Sequence, residues 1–183
     1  MAIIDPSKTW KLLEERLATT TNPRHKQILE IVLEHAQAEA KPDLDGLMAT
    51  LAPNPDYHFW NDGHDVGPKT TEGVRAYYTA FVESKSNILE FDLDRLLVDD
   101  EGLMMEGYLR QIYPGAYAAQ LGFPIDDPDA AYFIEFRQLI VWPVDADGKI
   151  IGEDSYHSGP SRIEKLTQEQ LPQEYIDMMA GAS

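Results

Sequence analysis

The chain has 183 residues, no cysteine, and a formal charge of −17 from 32 acidic against 15 basic residues. That length suits one domain with a core able to stand unaided, and the missing cysteines exclude disulfides and thiolate zinc sites. A nucleic-acid or anionic-membrane partner would need a basic stripe, and none is visible.

No apolar run nears the ~20 residues needed to cross a bilayer. The start, MAIIDPSKTWKLLEER, lacks the pattern of a signal peptide. The expectation is a cytoplasmic protein whose acidity serves solubility.

In chain order, Asp5-Pro6 predicts a helix start, and Trp10, Leu13 and Leu17 give that helix one apolar face. Asn22-Pro23 opens a second helix carrying Ile28, Ile31, Val32, His35 and Glu39 along one stripe, closed by Pro42. Asp43 caps a short third helix through Leu47, Met48 and Leu51. Pro53-Asn54-Pro55 then delivers the chain into a strand at Tyr57–Asn61. A helix over 71–86 packs through Val74, Tyr77, Tyr78, Phe81 and Val82.

Strands follow at 88–98 and 103–113, joined by the hairpin chemistry of Asp99-Asp100-Glu101-Gly102. Residues 114–129 interrupt the pattern, with one turn of helix at 116–121. Strands at 132–142 and 149–157 meet at Asp145-Ala146-Asp147-Gly148, the clearest hairpin signal present. Thr167 with Gln170 forms a capping-box pattern before a last helix. Helices followed by an antiparallel meander predict an α+β domain.

On 132–142 the even positions Tyr132, Ile134, Phe136, Ile140 and Trp142 are apolar, while odd positions carry Glu135 and Arg137. Alternation aims the even set at the helices and the odd set at solvent or a second subunit. Gln138 is the polar exception on the inward set, and a buried amide needs partners.

The stretch HAQAEAKPDLDGLMATLAPNPDYHFWNDGHDVGPKTTEGVRAYYTAFVE, His35 to Glu83, is the most informative. Its Asp43-Leu44-Asp45-Gly46 turn and Val74-Arg75-Ala76-Tyr77-Tyr78 helix resemble the nuclear transport factor 2 (NTF2)-like superfamily, in its SnoaL-like and ketosteroid-isomerase-like branch. The resemblance covers about a third of the chain well and most of it loosely. It implies an NTF2-like cone over residues 1–183: a curved antiparallel sheet on N-terminal helices, with a helical extension at 5–21 and an extra C-terminal helix. It also implies an apolar pocket for a hydrophobic small molecule, a candidate lid at 114–129, and a homodimer through the outer sheet face.

In the ungapped register to ketosteroid isomerase, His35 takes the place of the oxyanion-hole tyrosine and Phe59 that of the aspartate base, a pairing that serves as a standard example of pKa tuning. Phenylalanine cannot take a proton, so only the pocket carries over. His35 stands on its own evidence as an inward imidazole able to polarise an oxygen or move a proton. If Phe59 faces in, so do Tyr57 and Asn61; a bulge after Pro55 would bring His58 in instead. The same register turns Glu153, Ser155 and His157 inward. Glu153 or His157 is the best available base.

The expected catalytic set is therefore His35, Glu153 and His157. Tyr57, Phe59, Asn61, Tyr78, Gln138 and Trp142 are expected to bind substrate. The reaction implied is cofactor-free acid–base chemistry (isomerisation, dehydration, hydration or cyclisation) on a steroid, terpenoid or polyketide. A non-catalytic binding protein is one alternative, and an interaction protein working through the Glu135/Arg137 face another. An epoxide hydrolase of the same superfamily is a third, although the Arg-x-Asp it needs is absent from 103–113.

No metal is expected. His58, Asp62, His64 and Asp65 match no ligand spacing, and Asp145-x-Asp147-Gly148 lacks the rest of a calcium loop. Phosphate-cradling glycine loops, nucleophile elbows and dinucleotide fingerprints are also missing.

Overall fold

The computed structural model describes residues 3–61 and 63–181. Asp62, one of the four residues weighed for metal binding, lies outside them. Helix α1 (Lys8–Thr19) leans on α2 (Pro23–Ala40) and on strand β3 (Leu89–Val98). Asp5 forms a turn with Ser7, so α1 begins two residues later than Asp5-Pro6 suggests. Asn22 caps α2 through the amides of Arg24 and His25, and Asp43 caps α3 (Leu44–Thr50) through Gly46.

The other elements are β1 (His58–Asn61), β2 (His64–Asp65), α4 (Thr70–Glu83), β4 (Gly102–Pro114), α5 (Gly115–Gln120), β5 (Ala131–Pro143), β6 (Asp154–Lys165), a 3-10 turn (Gln168–Gln170) and α6 (Gln173–Ala180). The capping box of Thr167 and Gln170 forms, but it closes the 3-10 turn rather than opening α6.

Six strands make one sheet in the order β2-β1-β6-β5-β4-β3. All neighbours are antiparallel except β1 and β6, which run parallel with His58 beside Asp154 and Trp60 beside Tyr156. This matches the expected curved sheet on helices. The curl has a local cause: β3 carries a bulge between Leu93 and Arg95, and opposite it Gly107 sits so close that a Cβ would fall 2.2 Å from the Asp92 carbonyl oxygen.

One expectation needs correcting. Asp145–Gly148 does turn, with Gly148 at φ +82°, but residues 149–153 form no strand: Ile150 bridges Leu51 and Val144, Ile151 N–H donates to the Pro143 carbonyl, and the Glu153 carbonyl accepts from His58. The last strand begins at Asp154 and, instead of ending at 157, runs on through Ser158-Gly159-Pro160 with register shifts opposite Glu135, Phe136 and Gln138.

The main core fills the concave face, where Leu13, Ile28, Val32, Leu47, Val74 and Tyr78 meet Leu103, Ile140 and Trp142. A second cluster lies at one end of the convex face, where α6 and Ile4 cover Ile112 and Phe133. Phe133 is an odd position of β5, expected at solvent or a subunit contact; it is 2% exposed because the chain's own C-terminal helix lies on it. A third cluster packs Tyr117, Phe123 and Ile125 of the 115–130 stretch onto Tyr113, Tyr132 and Phe136.

The rest of the convex face is ionic. Arg110 bridges Glu90 (2.6 Å), Asp92 (3.0 Å) and Glu135 (2.8 Å), and Arg137 bonds Asp94 and Glu106. The Glu90 side chain is 4% exposed and also takes Lys8 at 3.3 Å. Arg110→Ala would leave the buried Glu90 carboxylate with only the Asp5 N–H at 2.6 Å and a half-exposed lysine at 3.3 Å. We expect a loss of about 3 kcal/mol in urea unfolding, against under about 1 kcal/mol for Arg162→Ala, whose pair with Glu164 is exposed. Equal losses would show that the Arg110 cluster is only surface decoration.

Candidate functional site

Tyr57 and Glu153 lie just ahead of β1 and β6, and the parallel register that joins those strands sets the two side by side, tied by His58 N–H donating to the Glu153 carbonyl at 2.7 Å. The same register pairs Phe59 with Ser155 on the concave face. His58, Trp60 and Tyr156 point the other way and stack, with Trp60 and Tyr156 rings 6.3 Å apart at 14°. From above, α2 supplies His35 and, one turn on, Glu39. Helix α4 supplies Tyr77 and Tyr78, because its spacing of Val74, Tyr78 and Phe81 turns one stripe into the core.

His35 is 1% exposed and held at both nitrogens: Nδ1 lies 2.7 Å from Thr50 Oγ1 and Nε2 2.9 Å from the Tyr78 hydroxyl. The Thr50 hydroxyl donates to the Leu47 carbonyl at 2.6 Å, so towards His35 it can only accept. The network therefore assigns the proton to Nδ1. Nε2 must then accept from Tyr78, whose oxygen accepts in turn from Tyr57 at 3.0 Å. The chain has one direction, Tyr57 to Tyr78 to His35 to Thr50 to Leu47. Burial pushes His35 down to about 3, so it stays neutral. It cannot store a proton, nor can it reach a ligand directly. Its part is to hold the two tyrosines.

Glu153 is 8% exposed, and burial, with Glu39 second, raises its carboxyl to about 8. The Ser155 hydroxyl pulls the other way. Glu39 is half-buried and burial raises it to about 7. Tyr77 is 37% exposed, yet burial raises its phenol well above the usual range. Glu39 of α2 and Glu153 ahead of β6 both push up the phenols of Tyr57, Tyr77 and Tyr78.

The expected residues separate by depth. His35, Tyr57, Tyr78 and Trp142 converge at the filled end, with the Trp142 ring 4.8 Å from His35 and its Nε1–H buried without a partner. Glu153 stands beside them. Gln138 is 7% exposed and donates to the Ser155 hydroxyl, a partner within the protein. Phe59 is half-buried, with its ring 5.1 Å from Tyr77. Asn61 and His157 lie on the same face but at its exposed end; His157 Nδ1 accepts the Gly159 N–H at 3.1 Å and its ring meets Phe136 edge-on.

Thr50 and Glu39 complete the site; the sequence put Glu39 on the His35 stripe without giving it a role, and did not mark Thr50. For Glu39 a signal existed: an acidic residue one turn after His35 on an inward stripe. Two surface clefts of about 590 and 500 Å³ lie elsewhere, the first around Arg24 and Pro143, the second around Asp56 and Lys69. Among the described residues no group of three or more His, Asp or Glu side chains could hold a metal, and no helix is long and apolar enough to cross a membrane.

No protein-family model matches the sequence, and no curated protein is similar to it. Solved structures give the fold. A candidate SnoaL-like polyketide cyclase from Jannaschia sp. CCS1 superposes with a TM-score of 0.57 at 18% identity, over 76% of this chain and 91% of that one. An NTF2-like protein from Anabaena variabilis gives 0.54 at 14% identity, over 77% and 95%. SalBIII, an epoxide hydrolase/cyclase-like enzyme of pyran ring formation in the polyether salinomycin, gives 0.52 at 17%, over 75% and 94%. The chain has the NTF2-like fold.

Proposed function

We propose that this chain is a cofactor-free acid–base enzyme of the isomerase, lyase or cyclase type, acting on a hydrophobic small molecule at the concave face. The feature that carries this reading is Glu153: a buried carboxyl, set beside Tyr57 at the head of a directed chain of hydroxyls and raised by burial to about 8. A group titrating near 8 can give up and recover a proton at physiological pH with little driving force lost. Tyr57 heads the hydroxyl chain and, fully buried, would hold Glu153 and Tyr78 in place rather than touch substrate in this conformation. His35 is a positioning residue.

Phe59, Tyr78 and Trp142 would form walls, and the unpaired Trp142 N–H would welcome a substrate oxygen. Gln138, Asn61 and His157 would act at the outer end, with 114–129 as a lid. Residues 1–183 would then work as one cytoplasmic domain, dimerising through the convex face where Trp60, Leu97, Tyr108 and Tyr156 are exposed. The neighbours that carry cyclase descriptions support the choice of substrate class.

Steroid and terpenoid enones, epoxides and alcohols should be screened for turnover with the wild type, Glu153→Gln and His157→Ala. An acid at Glu153 predicts a loss of at least about 100-fold in kcat for Glu153→Gln with KM little changed. The exposed His157 should cost less than about tenfold. Turnover surviving in Glu153→Gln would remove that residue from the mechanism. The closely filled end around His35 favours a second reading, a binding protein, for which ligands bind and nothing turns over.

A further inference from the structure

We infer that the outer end of the concave face is a subsite for an aromatic or cyclic apolar group, and that the chain fills it with its own Phe123. The loop that carries Phe123 must swing out before a ligand can enter. This rests on the concave-face reading above and says what keeps that face closed.

The sheet register shows which face the loop covers. Strand β5 pairs with β4 without a break from Ala131 to Pro143, so Tyr132, Ile134 and Phe136 share the face of Ile140 and Trp142. At the Trp142 end both layers are buried, with Leu13, Ile28 and Leu47 on the helices and Leu103 on the sheet. At the outer end the sheet is buried as deeply, Ile134 being 0% exposed, yet its cover is slight. Within 115–130 only Gly115 and Ala118 are buried, while Tyr117, Phe123 and Ile125 are half-buried. A segment so lightly packed opens far more often than the whole domain unfolds.

The loop is also built to move as one body. Its ends meet: Pro114 pairs with Ala131, and Gly115 N–H donates to the Ala130 carbonyl at 2.7 Å. Between them it bonds to itself, Phe123 N–H to the Ala118 carbonyl at 3.1 Å and Ile125 N–H to the Phe123 carbonyl at 2.9 Å. Compact loops closed at the neck in this way are Ω-loops. The fastening to the next strand is open to solvent, where Lys165 pairs with Asp126 at 3.2 Å and Asp127 at 3.5 Å. Exposed pairs of that kind hold weakly.

Gly122-Phe123-Pro124 presents the ring, with Gly122 at φ +86° on one side and a proline on the other. The Phe123 ring lies 5.9 Å from Tyr113 and 5.9 Å from Phe136, and Phe136 meets His157 edge-on at 5.6 Å. A ligand ring in that place would keep both aromatic contacts and lie one ring away from His157.

The chain has no cysteine, so a single introduced thiol reports access. Ile134→Cys places one beneath the loop and Leu47→Cys one beneath the helices, both at fully buried positions. With 4,4′-dithiodipyridine we expect Ile134→Cys to react at least about 100-fold faster than Leu47→Cys, at a rate unchanged up to about 1 M urea. Phe136→Cys is the second reporter should Ile134→Cys not fold. The probe 2-naphthol should slow labelling at Ile134→Cys, and Phe123→Ala, which removes the tethered competitor, should bind it at least about fivefold more tightly.

Equal labelling of the two buried thiols would overturn the inference and leave the concave-face reading untouched. Fast labelling that 2-naphthol does not slow, or a Phe123→Ala variant that binds it no better, would show a mobile loop with no ligand place beneath it and would also overturn it. Turnover surviving in Glu153→Gln would sink the reaction proposed above without changing these rates.

Discussion

Raising the pH from 6.5 to 8 is expected to lower the melting temperature by about 5 °C, and Glu39→Gln/Glu153→Gln is expected to abolish most of that loss. Between an unfolded value of 4.5 and a folded value of about 8, folded Glu153 keeps a proton that the unfolded chain releases. Stability from this group is full below pH 4.5 and is lost as pH rises through 8. Glu39 acts with the same sign up to about 7. His35 opposes both: folded at about 3 against 6.5 unfolded, it favours folding as pH rises through that window. Above 6.5 the carboxyls are unopposed, and each retained proton is worth about 1.4 kcal/mol per pH unit. Over the interval that gives about 2 kcal/mol from Glu153, or about 5 °C for a domain of this size. Parallel curves for wild type and double variant would mean that neither carboxyl is desolvated.

The largest loss from a single substitution is expected at His35. His35→Ala removes the acceptor of Tyr78 and the donor to Thr50 and opens a cavity beside Trp142, for a cost of about 3–5 kcal/mol. The direction of the hydroxyl chain adds a finer expectation. Tyr78→Phe leaves both His35 Nε2 and the Tyr57 hydroxyl unanswered, costing about 2–3 kcal/mol. Tyr57→Phe strips only an incoming donor from Tyr78, costing about 1 kcal/mol. Urea midpoints with unchanged m-values would establish the order. A Tyr57→Phe cost equal to that of Tyr78→Phe would show that the chain is not ordered as drawn.

Much of this architecture was legible from residue patterns. Alternation named the inward face of β5, including Trp142; for β1 it tied Tyr57 to Phe59 but left open which face was inward, and the helical stripe put His35 and Glu39 together. What alternation does not encode is depth along a strand. Asn61 and His157 share the face of Tyr57 and Glu153, but they lie one or two pleats further out and reach water. Distant partners were equally hidden: Phe133 is covered by a helix some 40 residues later, a pairing that no local pattern announces. Ser158-Gly159-Pro160 reads as a stop, yet an edge position with bulges lets the strand continue. Thr50 gave no signal, because a threonine near a helix end is ordinary until an imidazole is seen against it.

The parallel contact between β1 and β6 has a consequence for biosynthesis. Tyr57 leaves the ribosome almost a hundred residues before Glu153, and the strand that fixes their spacing needs the residues after 154 to pair. A nascent chain halted at residue 150 would therefore carry helices and most of the meander but not the pairing that sets Tyr57 beside Glu153. Ligand added during translation would rescue only chains that had already threaded their final strand into place.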